Sequence, residues 1–196
     1  MLSEKVKTAF EENNGILTLR EAEELQLSKE SLRKAYLRGD IVKGGRGVYL
    51  LSDEHFDQML ITQKIFKSGI FSNETGVFLY NYSTWIPQKY HMTFPYGYHS
   101  NNFDKYMIKP TFATPKYYEL GISKAENWDG NMVITYDRER TVLDIVRSRT
   151  VMFDVRAETI ESYLYDSKRD IDRLVKYAKL MNMESVVESE VLNYAK

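Results

Sequence analysis

The residues with most scope for chemistry are histidines and carboxylates, because the chain contains no cysteine. That absence excludes disulfides, thiolate metal sites and cysteine nucleophiles. His55, His91 and His99 are scattered, and the last two are separated by Pro95 and Gly97. This spacing is not that of a metal-binding pair on one helix. Each histidine is therefore expected to be a surface or packing side chain.

Two acidic patterns also invite a catalytic interpretation. Asp166-Ser167-Lys168 has the Asp-x-Lys form of many nucleases, but so short a pattern often arises by chance, and no acidic partner is set on a strand beside it. Asp137, Glu139 and Asp144 flank a predicted helix start, where the helix dipole accounts for them without chemistry. We therefore predict that the protein is not an enzyme and has no cofactor or metal site.

The charge of the chain is unevenly distributed, although its formal net charge is only −1. Residues 1–26 carry three basic and six acidic side chains, whereas residues 27–52 carry six basic and two acidic ones. Such asymmetry gives a small domain an electrostatic face. The N-terminus lacks a signal-peptide pattern, and no segment approaches the roughly 20 apolar residues of a membrane span. A cytoplasmic protein that makes no contact with membranes is expected.

Three short helices are predicted in the first forty residues. Apolar residues at helical spacing follow Ser3 and stop at the breaker 13–15. Thr18 and Glu21 have the spacing of a capping box, which predicts a second helix from Leu19 to about residue 25. The third helix comes after a very short connection.

That connection consists of Gln26 and Leu27 alone, because Ser28 is the predicted N-cap of the third helix and Gly39 its end. Two helices joined so tightly cross steeply, as in a helix-turn-helix. Segment 41–50 then shows two β-prone runs around a Gly-rich tip, which predicts a hairpin or wing.

The third helix has its apolar residues on one side and its cations on the other. The hairpin adds further cations. We therefore predict that residues 1–52 form a winged helix-turn-helix domain that binds duplex DNA, against the alternative of a merely solvated charged face. The predicted DNA-binding residues are Lys29, Ser31, Arg33, Lys34, Arg38, Lys43 and Arg46.

The remainder, 53–196, is predicted to be a larger α+β domain that carries the effector or antitoxin function. Alternating residues predict strands at 90–95, 107–112 and 132–136, and helical spacing dominates the C-terminal third. The predicted fold class is therefore α+β, with a winged helix-turn-helix domain followed by a mixed domain.

The last predicted long helix has cations away from its apolar stripe. The default interpretation is a solvated face with pairs such as Asp172 with Lys176. The alternative is a functional patch for operator DNA or an acidic partner. Its residues are Lys168, Arg169, Arg173, Lys176 and Lys179.

An ordered set of short motifs extends through most of the chain. In the N-terminal part these are LTLRE at 17–21, LSKESL at 27–32, GDIV at 39–42 and RGVYLL at 46–51. Further motifs are SNET at 72–75, Pro87, HMTFP at 91–95 and ERTVLD at 139–144.

In this order the motifs resemble the AbiEi antitoxins of type IV toxin–antitoxin systems, which act in abortive infection as a phage defence. The resemblance implies a winged-helix autorepressor that binds inverted repeats in double-stranded operator DNA. It also implies that the C-terminal domain counteracts a nucleotidyltransferase-type toxin without forming a stable complex with it. The tail beyond about residue 151 is the least similar part.

Two alternatives of other classes remain. One is a ligand-responsive winged-helix regulator in which Tyr80, Tyr82, Trp85 and Tyr90 line a small-molecule pocket, although aromatic residues are more often core. The other is a nucleic-acid enzyme that its winged helix recruits to the substrate. Effector-dependent release of DNA and metal-dependent cleavage, respectively, would identify them.

Overall fold

A computed structural model of the chain describes residues 2–51 and 56–192. The protein is a mixed α+β protein with two separate sheets. Its described residues divide into two compact units, an N-terminal unit up to Lys67 and a C-terminal unit from Ser68 onward. The predicted domain boundary after residue 52 and the predicted junction at 52–53 lie outside the described residues.

The N-terminal unit contains four helices and three short strands among its described residues. The strands form an antiparallel sheet in the order β1-β3-β2, with Ile16 opposite Leu50 and Lys43 opposite Tyr49. The elements are α1 Glu4–Glu11, β1 Ile16–Thr18, α2 Leu19–Glu24, α3 Lys29–Leu37, β2 Val42–Gly45, β3 Val48–Leu50 and α4 Gln58–Ile65.

Local capping fixes where the first helices begin. The predicted capping box is confirmed, because Thr18 Oγ1 accepts from the Glu21 N–H at 3.1 Å and Glu21 Oε2 accepts from the Thr18 N–H at 2.8 Å. Ser28 caps α3 as predicted, whereas Ser3 occupies the N-cap position of α1 without a side-chain hydrogen bond. The sequence did not predict β1, because a strand of three residues is too short to show a period.

The core of the N-terminal unit has two parts. One joins α1, α2 and α3 around Phe10 and Leu32, both fully buried. The other joins the sheet to α4, where Ile61 packs with Val48 and Leu50. Helix α4 therefore covers apolar side chains that the first fifty residues would otherwise expose.

The C-terminal unit has a five-stranded mixed sheet in the order β6-β5-β4-β8-β7. β5 runs parallel to β6 and β4 parallel to β8, while the other two pairs are antiparallel. The elements are β4 Ile70–Phe71, α5 Asn73–Leu79, β5 Tyr90–Pro95, a 3₁₀ helix Asp104–Tyr106, β6 Ile108–Ala113, α6 Pro115–Tyr118, β7 Ile122–Glu126, β8 Met132–Tyr136, α7 Arg138–Arg147, α8 Phe153–Tyr165, α9 Ile171–Leu180 and α10 Glu184–Glu190.

Helix α7 is the centre of this unit. All of its residues from Glu139 to Val146 are buried, and α5, α8, α9 and α10 pack around it. A helix buried on all sides should be apolar throughout. The charged residues inside α7 must therefore find partners within the protein.

The three predicted strands are confirmed, but three elements of the sheet side of this unit were not predicted. Strand β4 has two residues and α6 has four, and β7 alternates only weakly, so none has a clear period. The prediction that the final long helix includes Lys168 and Arg169 was wrong, because α9 starts after its N-cap Asp170. Helix α10 follows as a separate helix. Among the described residues, no helix combines the length and the apolar content that crossing a bilayer requires.

Candidate nucleic-acid interface

Helix α3 has one buried and one exposed side. Leu32 and Ala35 pack into the N-terminal core. The Oγ of Ser28 accepts from the Ser31 N–H at 3.0 Å and lies 2.7 Å from the Ser31 Oγ, which fixes the first turn. The predicted contact residues on the exposed side of α3 are Lys29, Ser31, Arg33 and Lys34.

The three cations of this exposed side each have an acidic neighbour. Lys29 Nζ lies 2.6 Å from Glu23 Oε1, and this hydrogen bond raises the pKa of Lys29. Glu30 Oε1 lies 3.6 Å from Arg33 Nη1 and 4.0 Å from Lys34 Nζ. All five side chains are at least half exposed. Ion pairs in water contribute about 0–1 kcal/mol, so phosphate groups can compete for these cations.

Arg38 follows α3 as its C-cap residue. Gly39, at φ +77°, reverses the chain so that Asp40 faces back toward Arg38. The Asp40 carboxylate accepts from Arg38 Nε at 2.9 Å and lies 2.7 Å from its Nη2. The Arg38 hydrogen bond holds the pKa of Asp40 below its usual value. The guanidinium is thereby fixed at the end of the exposed side of α3.

The β2–β3 hairpin adds two cations. Lys43 Nζ lies 4.7 Å from the centre of the Tyr36 ring, and Tyr36 makes an edge-to-face contact with Tyr49 at 6.3 Å. Arg46 is exposed in the tight turn, where Gly47 adopts φ +71°. Within 2–51 and 56–192, no carboxylate forms an ion pair with Lys43 or Arg46. The hairpin cations therefore remain available to a ligand.

The N-terminal unit thus holds all seven predicted DNA-binding residues on α3, its C-cap and the hairpin. Six of them are cations, and three acidic residues lie against them. The ion pairs of Glu30 were predictable from the sequence, because Glu30 lies three and four residues before Arg33 and Lys34 on α3. The ion pair of Glu23 with Lys29 was not predictable, because it depends on how α2 and α3 cross.

The residues of the predicted patch of the C-terminal unit do not all lie on one helix. Lys168 and Arg169 precede α9. The Lys168 N–H donates to the Asp166 carboxylate, and the Arg169 guanidinium donates to the Asp166 carbonyl oxygen. Lys176 and Lys179 are exposed on α9. Arg173 instead contacts three acidic residues, so its charge is largely satisfied within the unit.

Two of those three residues, Asp137 and Glu139, lie at the start of α7, where the helix dipole alone was expected to account for them, and the third, Asp170, is the N-cap of α9. Arg173 lies 3.9 Å from Asp137, 3.5 Å from Glu139 and 3.2 Å from Asp170. Glu139 is 1% exposed and accepts from the Asp170 N–H at 2.9 Å. Burial raises the pKa of Asp137, and burial likewise raises the pKa of Tyr177, its hydroxyl partner at 3.1 Å, to about 12.

Deeper in α7 lies a second ionic contact, the buried pair of Arg140 and Asp144. Arg140 is 1% exposed and donates to Asp144 at 3.0 Å. It also donates to the carbonyl oxygens of Tyr117 and Leu120 at 2.6 and 3.0 Å and lies 4.4 Å from the Tyr136 ring centre. The ERTVLD motif therefore supplies the internal salt bridge that connects α7 to the sheet side of the unit.

Two of the remaining catalytic candidates, His91 and Asp166, are occupied by internal contacts, whereas His99 is exposed. His91 is buried and its Nδ1 contacts the Glu74 carboxylate. Asp166 of the Asp-x-Lys pattern accepts from the Tyr82 hydroxyl at 2.6 Å and from Arg138 Nε at 2.8 Å. Among the described residues, no three histidine or acidic side chains are placed to share a metal ion. His55 lies outside the described residues.

The aromatic residues of the predicted ligand pocket do not converge. Tyr82 lines a groove of about 380 Å³, together with Phe78 and Trp128. Tyr80 packs beside Tyr82 after α5, whereas Tyr90 on β5 packs edge-on against Phe71.

Comparison with known proteins gives a structural likeness alone. No family model and no curated protein sequence matches the chain. Among solved structures, the RV2827C protein from Mycobacterium tuberculosis superposes with a TM-score of 0.58 at 9% sequence identity, covering 93% of this chain and 75% of that one. The chain is therefore similar to that protein in fold.

Proposed function

We propose that the protein is a DNA-binding autorepressor and the antitoxin of a type IV toxin–antitoxin system, and that its N-terminal unit is a winged helix-turn-helix domain. The observation that carries the proposal is the concentration of six exposed cations on α3, its C-cap and the following hairpin. Of the described residues, three acidic ones form ion pairs with these cations, in a chain whose net charge is −1. Exposed cations grouped on a helix and an adjacent hairpin match the charge and shape of duplex DNA.

In this proposal α3 enters the major groove of the operator. An α-helix with its side chains is about 10–12 Å across, and the groove is about 12 Å wide. Arg33 and Lys34 lie opposite the buried Leu32 and Ala35, so they face away from the core. An arginine fork suits the O6 and N7 atoms of guanine, whereas a lysine suits phosphate oxygens.

The acidic neighbours tune this surface. Glu23, Glu30 and Asp40 hold the cations in defined positions and repel phosphate groups that approach at random. A correctly placed duplex exchanges these weak exposed pairs for phosphate and base contacts. Arg46, which forms no ion pair with a described carboxylate, contacts a phosphate group or the minor groove from the hairpin.

The antitoxin activity is assigned to the C-terminal unit. Support comes from the ordered motifs that resemble AbiEi antitoxins, one of which, ERTVLD, forms the buried ionic centre of α7. The charged residues of this motif stabilise the fold of the unit, so their presence among the family-like motifs requires no catalytic role. The surface of this unit is then free to counteract a nucleotidyltransferase-type toxin.

The proposal is tested with a reporter placed under the protein's own promoter and with the neighbouring nucleotidyltransferase gene under separate control. The double variant Lys34→Gln, Arg38→Gln should lose repression and still protect against the toxin. Lys7→Gln is the matched control, because Lys7 is equally exposed and also paired with a glutamate, but lies on α1. Failure of the wild type to repress, or equal repression by the double variant, would contradict the DNA-binding role. Failure of the wild type to protect would contradict the antitoxin role.

A further inference from the structure

The chain segment around β5 and β6 differs in composition from the rest of the protein. Residues 88–118 contain nine of the 26 aromatic residues. The same segment has four lysines and one aspartate, a net charge of +3, so the rest of the chain carries −4. Its single acid, Asp104, is paired with Lys89 at 3.0 Å. The segment is thus both aromatic and basic.

The fold brings these aromatic rings together at the edge of the sheet. β6 is an edge strand, and Phe112 on it lies in register with Phe94 on β5. The Phe112 ring lies 6.4 Å from Phe94 and 6.5 Å from Phe103, and Tyr98 stacks on Phe94 at 4.7 Å. These rings therefore form a packed cluster next to the edge strand.

Two aromatic side chains of this edge remain in solvent. Phe112 is 48% exposed although its neighbour Phe94 is fully buried. Tyr96 is 80% exposed, and its N–H donates to the Ala113 carbonyl at 2.8 Å, which places it beside the end of β6. Large exposed rings held by a rigid scaffold are stacking surfaces.

Lysines flank these rings along β6. Lys105 lies in the 3₁₀ helix before the strand, Lys109 lies within it and Lys116 follows it in α6. All three are exposed, and of the described residues none forms an ion pair with them, although, against the burial that raises it, the charge of Lys109 helps to lower the pKa of the Glu74 carboxyl group. Trp128 provides the contrast, because it is also exposed and stacked, on Phe78 at 5.3 Å, but lies between acidic residues in sequence.

From this arrangement we propose that the β5–β6 edge of the C-terminal unit binds single-stranded nucleic acid, with bases stacked on Phe112 and Tyr96 and the backbone neutralised by the lysines of β6 and its flanks. Single strands suit the site because their bases are free to stack, whereas those of a duplex are stacked on each other. Lys109 lies three residues before Phe112 on the edge strand, so it extends from the opposite face of the sheet and can neutralise a backbone that passes along this open edge. This site is separate from the proposed duplex-binding surface of α3.

The test is fluorescence anisotropy of full-length protein with labelled oligo(U) and oligo(dT) of about 12 nucleotides. Phe112→Leu should weaken binding about tenfold, because leucine keeps the packing but lacks a π-face. Phe112→Tyr should bind as the wild type does. Lys109→Gln should reduce the slope of log affinity against log salt concentration by about 0.7.

Two controls isolate the site. Trp128→Leu removes an exposed, stacked ring in acidic surroundings and should leave the affinity unchanged. The double variant Lys34→Gln, Arg38→Gln should lose duplex binding and keep binding of the single strand, so the two surfaces are judged independently. Absence of binding to either oligonucleotide, or equal binding by Phe112→Leu and Phe112→Tyr, would overturn the proposal.

Discussion

Replacing Arg140 by Met should lower the free energy of unfolding of the C-terminal unit more than any surface substitution does. The reason is that it leaves a buried carboxylate without its main partner. Asp144 is 4% exposed, and among the described residues its one remaining ion-pair partner is Arg147 at 3.4 Å. Removing one partner of a buried ion pair costs about 3–5 kcal/mol. The carbonyl oxygens of Tyr117 and Leu120 also lose a donor, which adds to the cost.

The cost should depend on pH with a definite sign. Burial raises the pKa of Asp144, whereas Arg140 and Arg147 lower it. Without Arg140 that pKa rises further. A carboxyl group whose folded pKa is raised stabilises the fold below its unfolded pKa, and that contribution is lost as the pH rises through the folded value. The Arg140→Met variant should therefore be less destabilised near about pH 5 than at pH 7.

Urea titration followed by tryptophan fluorescence measures this directly, since both tryptophans, Trp85 and Trp128, lie in the C-terminal unit. Arg147→Met is the control, because that side chain is half exposed and its loss should cost less than about 1 kcal/mol. Adding Asp144→Asn to Arg140→Met should restore about 1–3 kcal/mol. A cost for Arg140→Met below that of the control, or a cost independent of pH, would refute the reasoning.

Four further substitutions test contacts within each of the two units. Ile61→Ala should cost about 2–5 kcal/mol and expose the N-terminal unit to proteolysis, because Ile61 is 2% exposed against the sheet; wild-type resistance would mean that α4 is dispensable. Lys64→Met should cost about 1 kcal/mol at pH 7 in thermal unfolding. Burial raises the pKa of Glu21, but its hydrogen bonds to Lys64 and Thr18 lower it overall, so this difference should vanish as the pH falls through the lowered pKa; a difference that persists in acid would be evidence against the pair. Arg173→Gln should lower the melting temperature, whereas Lys176→Gln should not. A loss of repression or protection in the stable Lys176→Gln variant would then show that the C-terminal patch has a function, and unchanged activity would show that it is a solvated face.

Local signals in the sequence predicted those parts of the fold that local interactions determine. The capping box of Thr18 and Glu21 and the cap at Ser28 are made by residues three apart, so their spacing was sufficient evidence. The strand at 90–95 was recognisable because its alternation is intact. By contrast, β4 has two residues, and only its place between β5 and β8 makes it a strand.

The candidate sites show the same limit. The cations of α3 could be placed on one side by helical geometry, and the structure has them exposed there. Two of the three contacts of Arg173 could not be foreseen, because Asp137 and Glu139 approach it from another helix. The edge cluster around Phe112 likewise depends on the register between two strands. Helical spacing reveals a face, but not what packs against it.

The most direct test of the account is binding of the full-length protein to a duplex carrying its own promoter, measured by anisotropy over a range of salt concentrations. The wild type should prefer this duplex to a scrambled one. The double variant Arg33→Gln, Lys34→Gln should lose about tenfold or more in affinity and reduce the salt slope by about 0.9 for each lost phosphate contact. The Lys7→Gln control should bind normally. A double variant with the affinity and salt slope of the wild type would show that α3 does not face the DNA.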